Sequence, residues 1–286
     1  MNFKNIIKSI FTYNPQKGYE FNILENMDAH INNNLVDNLQ SSKIYSNLQQ
    51  NLEYVKTSYN TLINSDIIIR EFILNARNKQ YNAFLLYIDG MIDSNIMNDF
   101  ILKPLMLRND NNLYNRPQSK VVSELNANNV TVRKIKKFNI SDYLFNCLIP
   151  QNSVQKIDDF EKIFSGVNSG NCALFVDTLN IAFDIEVKGF KQRSIDSPNN
   201  EIVIKGSHEA FVENIRTNTS ILRRIINNEN LIIENIDVGK ITKTKCGICY
   251  MKNITNSDLV AEAKYRINNL GIDSITSSRR IRTINI

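Results

Sequence analysis

The stretch Asn82–Asp89, NAFLLYID, is apolar at nearly every position and decides the fold class. Successive side chains of a strand point to opposite faces, so such a run is typical of a central strand buried on both faces of a sheet. A second apolar run, Cys172–Asp177, also ends in an aspartate, and Ile181–Val187 follows it at hairpin distance. The recurrence predicts two related units that mix helices with strands.

Helical periodicity surrounds these strands. The predicted helices are residues 33–63 as one or two helices, 95–107 with Pro104 kinking or shortening it, 141–148 with Ser141 as N-cap, and 154–164. A further strand is predicted at 66–74 and another at 130–136. The fold class is therefore α/β (α+β), with two small mixed α/β subdomains, a short linker at 150–153 and an N-terminal helical segment.

The same pattern predicts the domain limits. Residues 1–30 are weakly patterned and are predicted to be a loosely ordered N-terminal segment. The first subdomain, with its N-terminal helices, is predicted at 31–149, the second at 150–277, and a tail at 278–286.

Composition excludes several classes of function. The chain has 286 residues, 42% of them hydrophobic, and a formal charge of +5 that is scattered rather than interleaved with aromatics, which argues against nucleic acid as a partner. The N-terminus lacks the pattern of a secretory signal, and no apolar run approaches the roughly 18–20 residues of a transmembrane helix. On its own the sequence is that of a soluble chain.

Catalytic and metal-binding patterns are missing from the sequence. It has two histidines and none of the HExxH, GxSxG, GxxxxGK[ST] or GxGxxG motifs, so we predict no enzyme and no cofactor. Cys246 and Cys249 have CxxC spacing, but residues three apart on a strand point to opposite faces. We therefore predict that the four cysteines are buried free thiols and that no metal is bound.

The densest set of polar side chains lies in Gly189–Ile226, GFKQRSIDSPNNEIVIKGSHEAFVENIRTNTSILRRII. A Ser-Pro-Asn-Asn turn precedes a helix predicted from Glu209 onward, on which Arg216 and Arg223 share one face. Asn and Thr are poor helix formers, so side-chain hydrogen bonds are expected to fix Asn218 and Thr219. The predicted core face is Phe211, Ile215, Leu222 and Ile226, and Glu213 is predicted to pair with Arg216.

This block resembles the soluble N-terminal domain of the A subunit of nutrient germinant receptors, the GerA family of spore germination proteins. The matching residues are Arg193, Ser197, Pro198, Glu201, Gly206, Phe211, Glu213, Thr217, Asn218, Leu222, Arg223 and Arg224. Further similar segments are 65–72, 81–91, 95–107, 238–252 and 258–273, so that roughly residues 40–277 fit the family. Ser207 stands where the family often has proline, and His208 where a basic residue is common.

The resemblance implies a role and partners. The family's A subunits continue into transmembrane helices, so the chain is expected to be a truncated fragment or an isolated soluble domain. The full-length protein would lie in the spore inner membrane with B and C subunits and possible copies of itself, this domain facing the core or cytoplasm. It would help couple nutrient detection to germination. The alternative is a germinant-binding sensor with a ligand cleft between the two subdomains.

Three interpretations of the motif residues stay open. The charged residues of the motif would form an ion-pair network that docks the Ser197-Pro198 loop on the helix, an interface with other subunits, or a germinant-binding site. These residues are Arg193, Glu201, Glu213, Arg216, Arg223 and Arg224. Arginine suits the first two, because its planar group of donors is common both in ion pairs and at protein interfaces.

Overall fold

The computed structural model describes residues 43–76, 79–107, 139–190 and 211–274, all of them in one compact unit. The predicted N-terminal segment 1–30, the strand at 130–136 and the tail at 278–286 lie outside the described residues.

The centre of the fold is a five-stranded sheet in which every pair of neighbours is antiparallel. Its order is β1-β2-β4-β5-β3. The strands are β1 Ile67–Ala76, β2 Lys79–Ile88, β3 Val154–Ile157, β4 Cys172–Val176 and β5 Ala182–Ile185. The interior strand predicted at 82–89 and the predicted hairpin of 172–177 with 181–187 are both present as β2 and as β4 with β5, and the mixed α/β class is confirmed.

Helices cover both faces of the sheet, which is why the second half of β2, from Ala83 to Ile88, is apolar. The helices are α1 Leu48–Ser58, α2 Ser94–Met106, α3 Ile140–Leu148 and α4 Phe160–Asn168. Phe84 and Leu86 face α1 and α4, whereas Ala83 and Leu85 face α2 and α3.

The sequence of α4 shows how one of these helices is specified. Asp159 is its N-cap and accepts hydrogen bonds from the backbone N–H groups of Glu161 and Lys162 at 2.9 and 3.3 Å. Phe160, Ile163, Phe164 and Val167 follow at helical spacing and are buried against the sheet. The helix ends at Asn168, before Gly170, which has a positive φ.

The helix predicted over 95–107 is α2, and it widens in the middle. It is α-helical over Ser94–Ile96, π-helical over Met97–Leu102 and α-helical again over Lys103–Met106. Pro104 has no N–H, and its ring clashes with the carbonyl one turn earlier in a regular α-helix. The wider turn directly before Pro104 gives that carbonyl room, so the proline changes the helix without ending it.

Two of the predicted elements are wrong in detail. Val154–Ile157, predicted as the start of a helix, is the edge strand β3, which pairs with β5 and leaves the helix to begin after Asp159. The N-cap of α3 is Asn139 rather than Ser141, because the Asn139 side chain accepts a hydrogen bond from the Ser141 N–H at 3.0 Å.

A second, two-stranded sheet follows the first in sequence. It consists of β6 Leu231–Val238 and β7 Thr244–Met251, between α5 Ile215–Ile225 and α6 Ser257–Asn268. The boundary predicted at 149–150 does not separate two sheets, since β1 and β2 precede it and β3–β5 follow it in the same sheet. The change from one sheet to the other falls between β5 and β6.

Candidate functional site

Helix α5 contains most of the described residues of the polar stretch Gly189–Ile226. It begins at Ile215, where the Asn214 side chain caps it by accepting hydrogen bonds from the N–H groups of Arg216 and Thr217 at 2.9 and 3.3 Å. The prediction that Phe211 belongs to the helix and the core is wrong, because it precedes the cap and is 62% exposed.

The buried face of α5 is largely polar, which the predicted apolar face did not anticipate. Thr219, Ser220, Ile221 and Arg223 are buried, whereas Ile215, Leu222 and Ile226 are only half-buried. The hydroxyls of Thr219 and Ser220 donate to carbonyls one turn back, at 2.9 and 2.8 Å. Polar side chains that are satisfied within the helix can face the interior at little cost.

Asn218 fixes the chain in front of the helix. Its side-chain oxygen accepts from the Val212 N–H and its side-chain nitrogen donates to the Val212 carbonyl, both at 2.7 Å. The expectation that local hydrogen bonds determine Asn218 and Thr219 is confirmed. This pair of bonds holds the residues before α5 against its first turns.

Arg223 is the most buried charged residue described, with 1% exposure. Its Nε and Nη2 groups donate hydrogen bonds to the two oxygens of the Asp66 carboxylate at 2.8 and 2.9 Å, and Nη2 also donates to the Asn64 side-chain oxygen at 3.0 Å. Its Nη1 has no hydrogen-bond partner among the described residues. The paired fork geometry is the strong form of an arginine–carboxylate contact.

Asn64 extends this contact to the second sheet. Its side chain donates to the carbonyls of Tyr59 and Leu231 at 3.2 and 3.1 Å and accepts from the Ile233 N–H at 2.9 Å. Ser65 adds a backbone bond to the Ile233 carbonyl at 2.9 Å. The segment before β1 therefore ties together β6, α5 and the five-stranded sheet.

Arg216, two turns before Arg223, pairs with Asp89 at the end of β2. Asp66 and Asp89 are neighbours, since the Asp89 N–H donates to the Asp66 carbonyl at 2.8 Å. The two arginines thus share one face, as predicted, and meet two adjacent aspartates. Their burial differs, because the Arg216 side chain is 63% exposed. The predicted Glu213–Arg216 pair is wrong: Arg216 turns to Asp89, and Glu213 forms no ion pair with a described residue.

Gly90 lets α5 approach this sheet edge. Its φ is +86°, a left-handed conformation that favours glycine, and a Cβ there would lie 2.9 Å from the Arg216 Cγ. We call Asn64, Asp66, Asp89, Arg216 and Arg223 the charged joint. A cleft of about 150 Å³ opens beside it. Its lining is Asp89, Gly90, Ile92, Ser94, Gly189, Asn214, Arg216, Thr217 and Ser220.

Of the remaining motif residues, Arg224 lies within the part of the chain that the structure describes and five others do not. Arg224 lies over the Phe190 ring, with its Cζ 5.1 Å from the centroid, a cation–π contact that links α5 to the segment after β5. Arg193, Ser197, Pro198, Glu201 and Gly206 lie outside the described residues.

The ionisable side chains of the joint are two aspartates, each paired with an arginine. Within the described residues, no group of three or more metal-ligating side chains could hold an ion. Cys246 and Cys249 belong to β7, and partial burial raises the pKa of the Cys246 thiol, which disfavours a reactive thiolate there. Cys172 is buried, Cys246 is half-buried, and Cys147 and Cys249 are exposed, so the prediction of four buried thiols is correct for Cys172 alone.

Fold and site together define a mixed α/β domain whose motif residues connect secondary-structure elements through ion pairs. Residues 53–284 match the family model described as Bacillus/Clostridium GerA spore germination protein. The chain belongs to this family of spore germination proteins.

Individual relatives agree with this assignment. The chain is 27% identical over 220 residues to spore germination protein KA of Bacillus subtilis, covering 77% of this chain and 36% of that protein. It is 26% identical over 236 residues to spore germination protein B1 of the same species, covering 82% of this chain and 43% of the relative. The chain thus spans less than half the length of these relatives.

A solved structure is also similar. The crystal structure of the N-terminal domain of the A subunit of the Bacillus megaterium spore germinant receptor GerK3 aligns with a TM-score of 0.53 and 26% identity. The alignment covers 81% of this chain and 74% of that domain. Of the helices that the structure describes, none is both long and apolar enough to cross a bilayer.

Proposed function

We propose that this chain is the soluble domain of a spore germinant receptor A subunit and helps couple nutrient detection to germination through contacts with other subunits. The observation that carries the proposal is its likeness to the N-terminal domain of the GerK3 A subunit over 81% of the chain. B and C subunits at the spore inner membrane, and copies of the chain itself, are the proposed partners.

The surface around α5 supports this role. Arg223 locks the helix to the sheet, and Asn218 holds the segment in front of it. On this rigid support Phe211 and Ile225 are 62% and 70% exposed, although aromatic and large aliphatic side chains are usually covered. A fixed helix with exposed apolar residues at both ends suits a subunit contact, since anchor residues of interfaces are commonly aromatic.

Co-isolation from spores tests the proposal. The tagged chain would be produced in a spore-forming host beside B- and C-type subunits and recovered from the spore membrane fraction. We expect those subunits to accompany it and Phe211→Ser to lower their recovery about tenfold, the effect of roughly 1.4 kcal/mol at an interface. Ile254→Ser, at a side chain that is 71% exposed outside α5, is the matched control and should change nothing. Recovery no better than that of an unrelated tagged protein would contradict the proposal.

A second candidate function is germinant sensing, and the cleft beside the charged joint is the observation in its favour. Its volume of about 150 Å³ is below the roughly 300–1,000 Å³ of typical ligand pockets, so subunit contact remains the better supported function. If a sugar, nucleoside or amino acid bound there, a concentration of 100 Kd would stabilise the chain by about 2.7 kcal/mol. An unchanged melting temperature across such compounds would remove this candidate.

A further inference from the structure

The turn that joins β6 to β7 combines an exposed apolar side chain with lysines. The last paired residues of this hairpin are Val238 and Thr244, and the chain reverses over residues 239–243. We call residues 240–243, Lys-Ile-Thr-Lys, the hairpin tip. Ile241 is 76% exposed there, although the residues that usually form turns are small or polar. Chain reversal alone therefore does not account for an isoleucine at this position.

The two lysines of the tip have no acidic partner among the residues that the structure describes. Lys240 and Lys243 are exposed, and neither has an ion pair there. The next lysine, Lys245, differs from them, because its Nζ lies 2.7 Å from the Asp237 carboxylate. Ile241 is thus flanked in sequence by two exposed ammonium groups.

Backbone hydrogen bonds fix the tip to the segment after α6. The Lys240 N–H donates to the Ile272 carbonyl at 3.1 Å. The N–H groups of Ile241 and Thr242 both donate to the Asp273 carbonyl, at 3.0 and 3.3 Å. A turn that is held in one conformation loses little conformational entropy when it contacts another surface.

The segment bonded to the tip leads into a basic sequence. Asp273 contributes one carboxylate, whereas residues 275–286 contain three arginines, at 279, 280 and 282, and no acidic residue. These arginines follow closely along the chain from the residues that the tip holds. The tip and the sequence attached to it therefore carry a net positive charge.

We propose that the hairpin tip rests on an anionic lipid bilayer, with Lys240 and Lys243 among the headgroup phosphates and Ile241 inserted into the interface. Lysines near such a surface are attracted to it, and an apolar side chain is stabilised by leaving water for the acyl boundary. A nucleic acid would contact only the lysines, because its bases stack on aromatic side chains and the tip has none. The inference goes beyond the proposed function and requires no other subunit.

Vesicle flotation of the full chain tests the contribution of charge. Vesicles of phosphatidylcholine alone are compared with vesicles of phosphatidylcholine and phosphatidylglycerol in equal parts, and we expect binding to the anionic vesicles to be about tenfold stronger or more. Each lysine near the surface contributes about fivefold, so Lys240→Gln with Lys243→Gln should weaken binding about thirtyfold. Lys56→Gln with Lys252→Gln removes the same charge from exposed positions on α1 and after β7 and should weaken it by about twofold or less.

Tryptophan fluorescence tests the insertion of Ile241, because the sequence contains no tryptophan. In Ile241→Trp, anionic vesicles should shift the emission to shorter wavelength, and brominated lipids should quench it. Ile254→Trp replaces a side chain that is 71% exposed beyond the other end of β7, and this control should show neither change. Ile241→Ser should weaken vesicle binding about fivefold, since the inserted apolar surface is lost.

Three results would overturn the inference. They are vesicle binding that is absent or equal for neutral and anionic lipid, equal losses from the two lysine pairs, and an Ile241→Trp emission that anionic vesicles leave unchanged. The substituted side chains are exposed, so the variants should fold, and thermal melting followed by circular dichroism checks this. The vesicles contain no receptor subunits, so this inference and the recovery of subunits from spores fail independently.

Discussion

Arg223→Met tests whether the buried half of the charged joint holds the two sheets together. Methionine keeps most of the side-chain length and removes the charge and all three hydrogen bonds to Asp66 and Asn64. Asp66 then stays buried as a carboxylate without its partner. Breaking a buried pair in this way costs about 3–5 kcal/mol. In a domain of this size the melting temperature should fall by roughly 6–20 °C, because each kcal/mol corresponds to about 2–4 °C.

A double-mutant cycle separates the ion pair from simple packing loss. Urea unfolding of the full chain, followed by circular dichroism, would be measured for Arg223→Met, Asp66→Asn and the double variant. We expect a coupling energy of about 1.5–3 kcal/mol, since each single change leaves the other group buried and unpaired. The matched cycle is Arg216→Met with Asp89→Asn on the same helix, where the arginine is 63% exposed and coupling should stay below about 1 kcal/mol.

Equal coupling in the two cycles would refute the reasoning from burial, and so would a cost below about 1 kcal/mol for Arg223→Met. If that variant does not fold, Arg223→Lys is the milder substitution, because it keeps the charge and loses only the paired geometry. The loss in free energy of unfolding for Arg223→Lys should be greater than zero and smaller than that for Arg223→Met.

Three further predictions concern single positions. Asn218→Ala removes both bonds to Val212 and should cost about 1–3 kcal/mol in urea unfolding; a cost near zero would show that the segment before α5 is held otherwise. Gly90→Ala forces a left-handed φ on alanine and should cost about 1–3 kcal/mol, whereas Gly271→Ala, where a Cβ meets nothing within 4 Å, should be nearly neutral in the same thermal melt. Because burial raises the pKa of Asp184, wild type should lose stability relative to Asp184→Asn as the pH rises above about 4, the usual pKa of an aspartate; a difference that is constant with pH, measured by urea unfolding, would contradict this.

Local composition predicts the centre of the fold well. β2 and β4 are apolar on both faces because helices cover both sides of the sheet. Adjacent apolar residues such as Phe84 and Leu85 therefore indicate an interior strand. The prediction of a helix beginning at Val154 was wrong because Val154–Ile157 is an edge strand stabilised by its pairing with β5. A short window of sequence does not contain that partner strand. The helix α4 was correct only from the point where Asp159 caps it.

The sequence predicted the two arginines of the charged joint, but not the residues with which they pair. Arg216 and Arg223 share a face because they are two turns apart, and the periodicity shows this directly. Their partners are aspartates that follow or precede strands distant in sequence. Asp66 and Asp89 were both within the segments that resemble the GerA family, but nothing local connects either to an arginine. Glu213 was the nearest carboxylate in sequence, and Arg216 has a better placed one in Asp89.

The pairing of Asp66 with Arg223 joins two residues that leave the ribosome at different times. The two residues are 157 positions apart, and all five strands of the large sheet lie between them. Domains fold as the chain emerges, so the sheet can form while Asp66 still faces water at its edge. Arrival of α5 removes that carboxylate from solvent and closes the loop. A chain that stops after β5 would therefore expose the Asp66 carboxylate to water. In the complete chain that carboxylate is buried by α5.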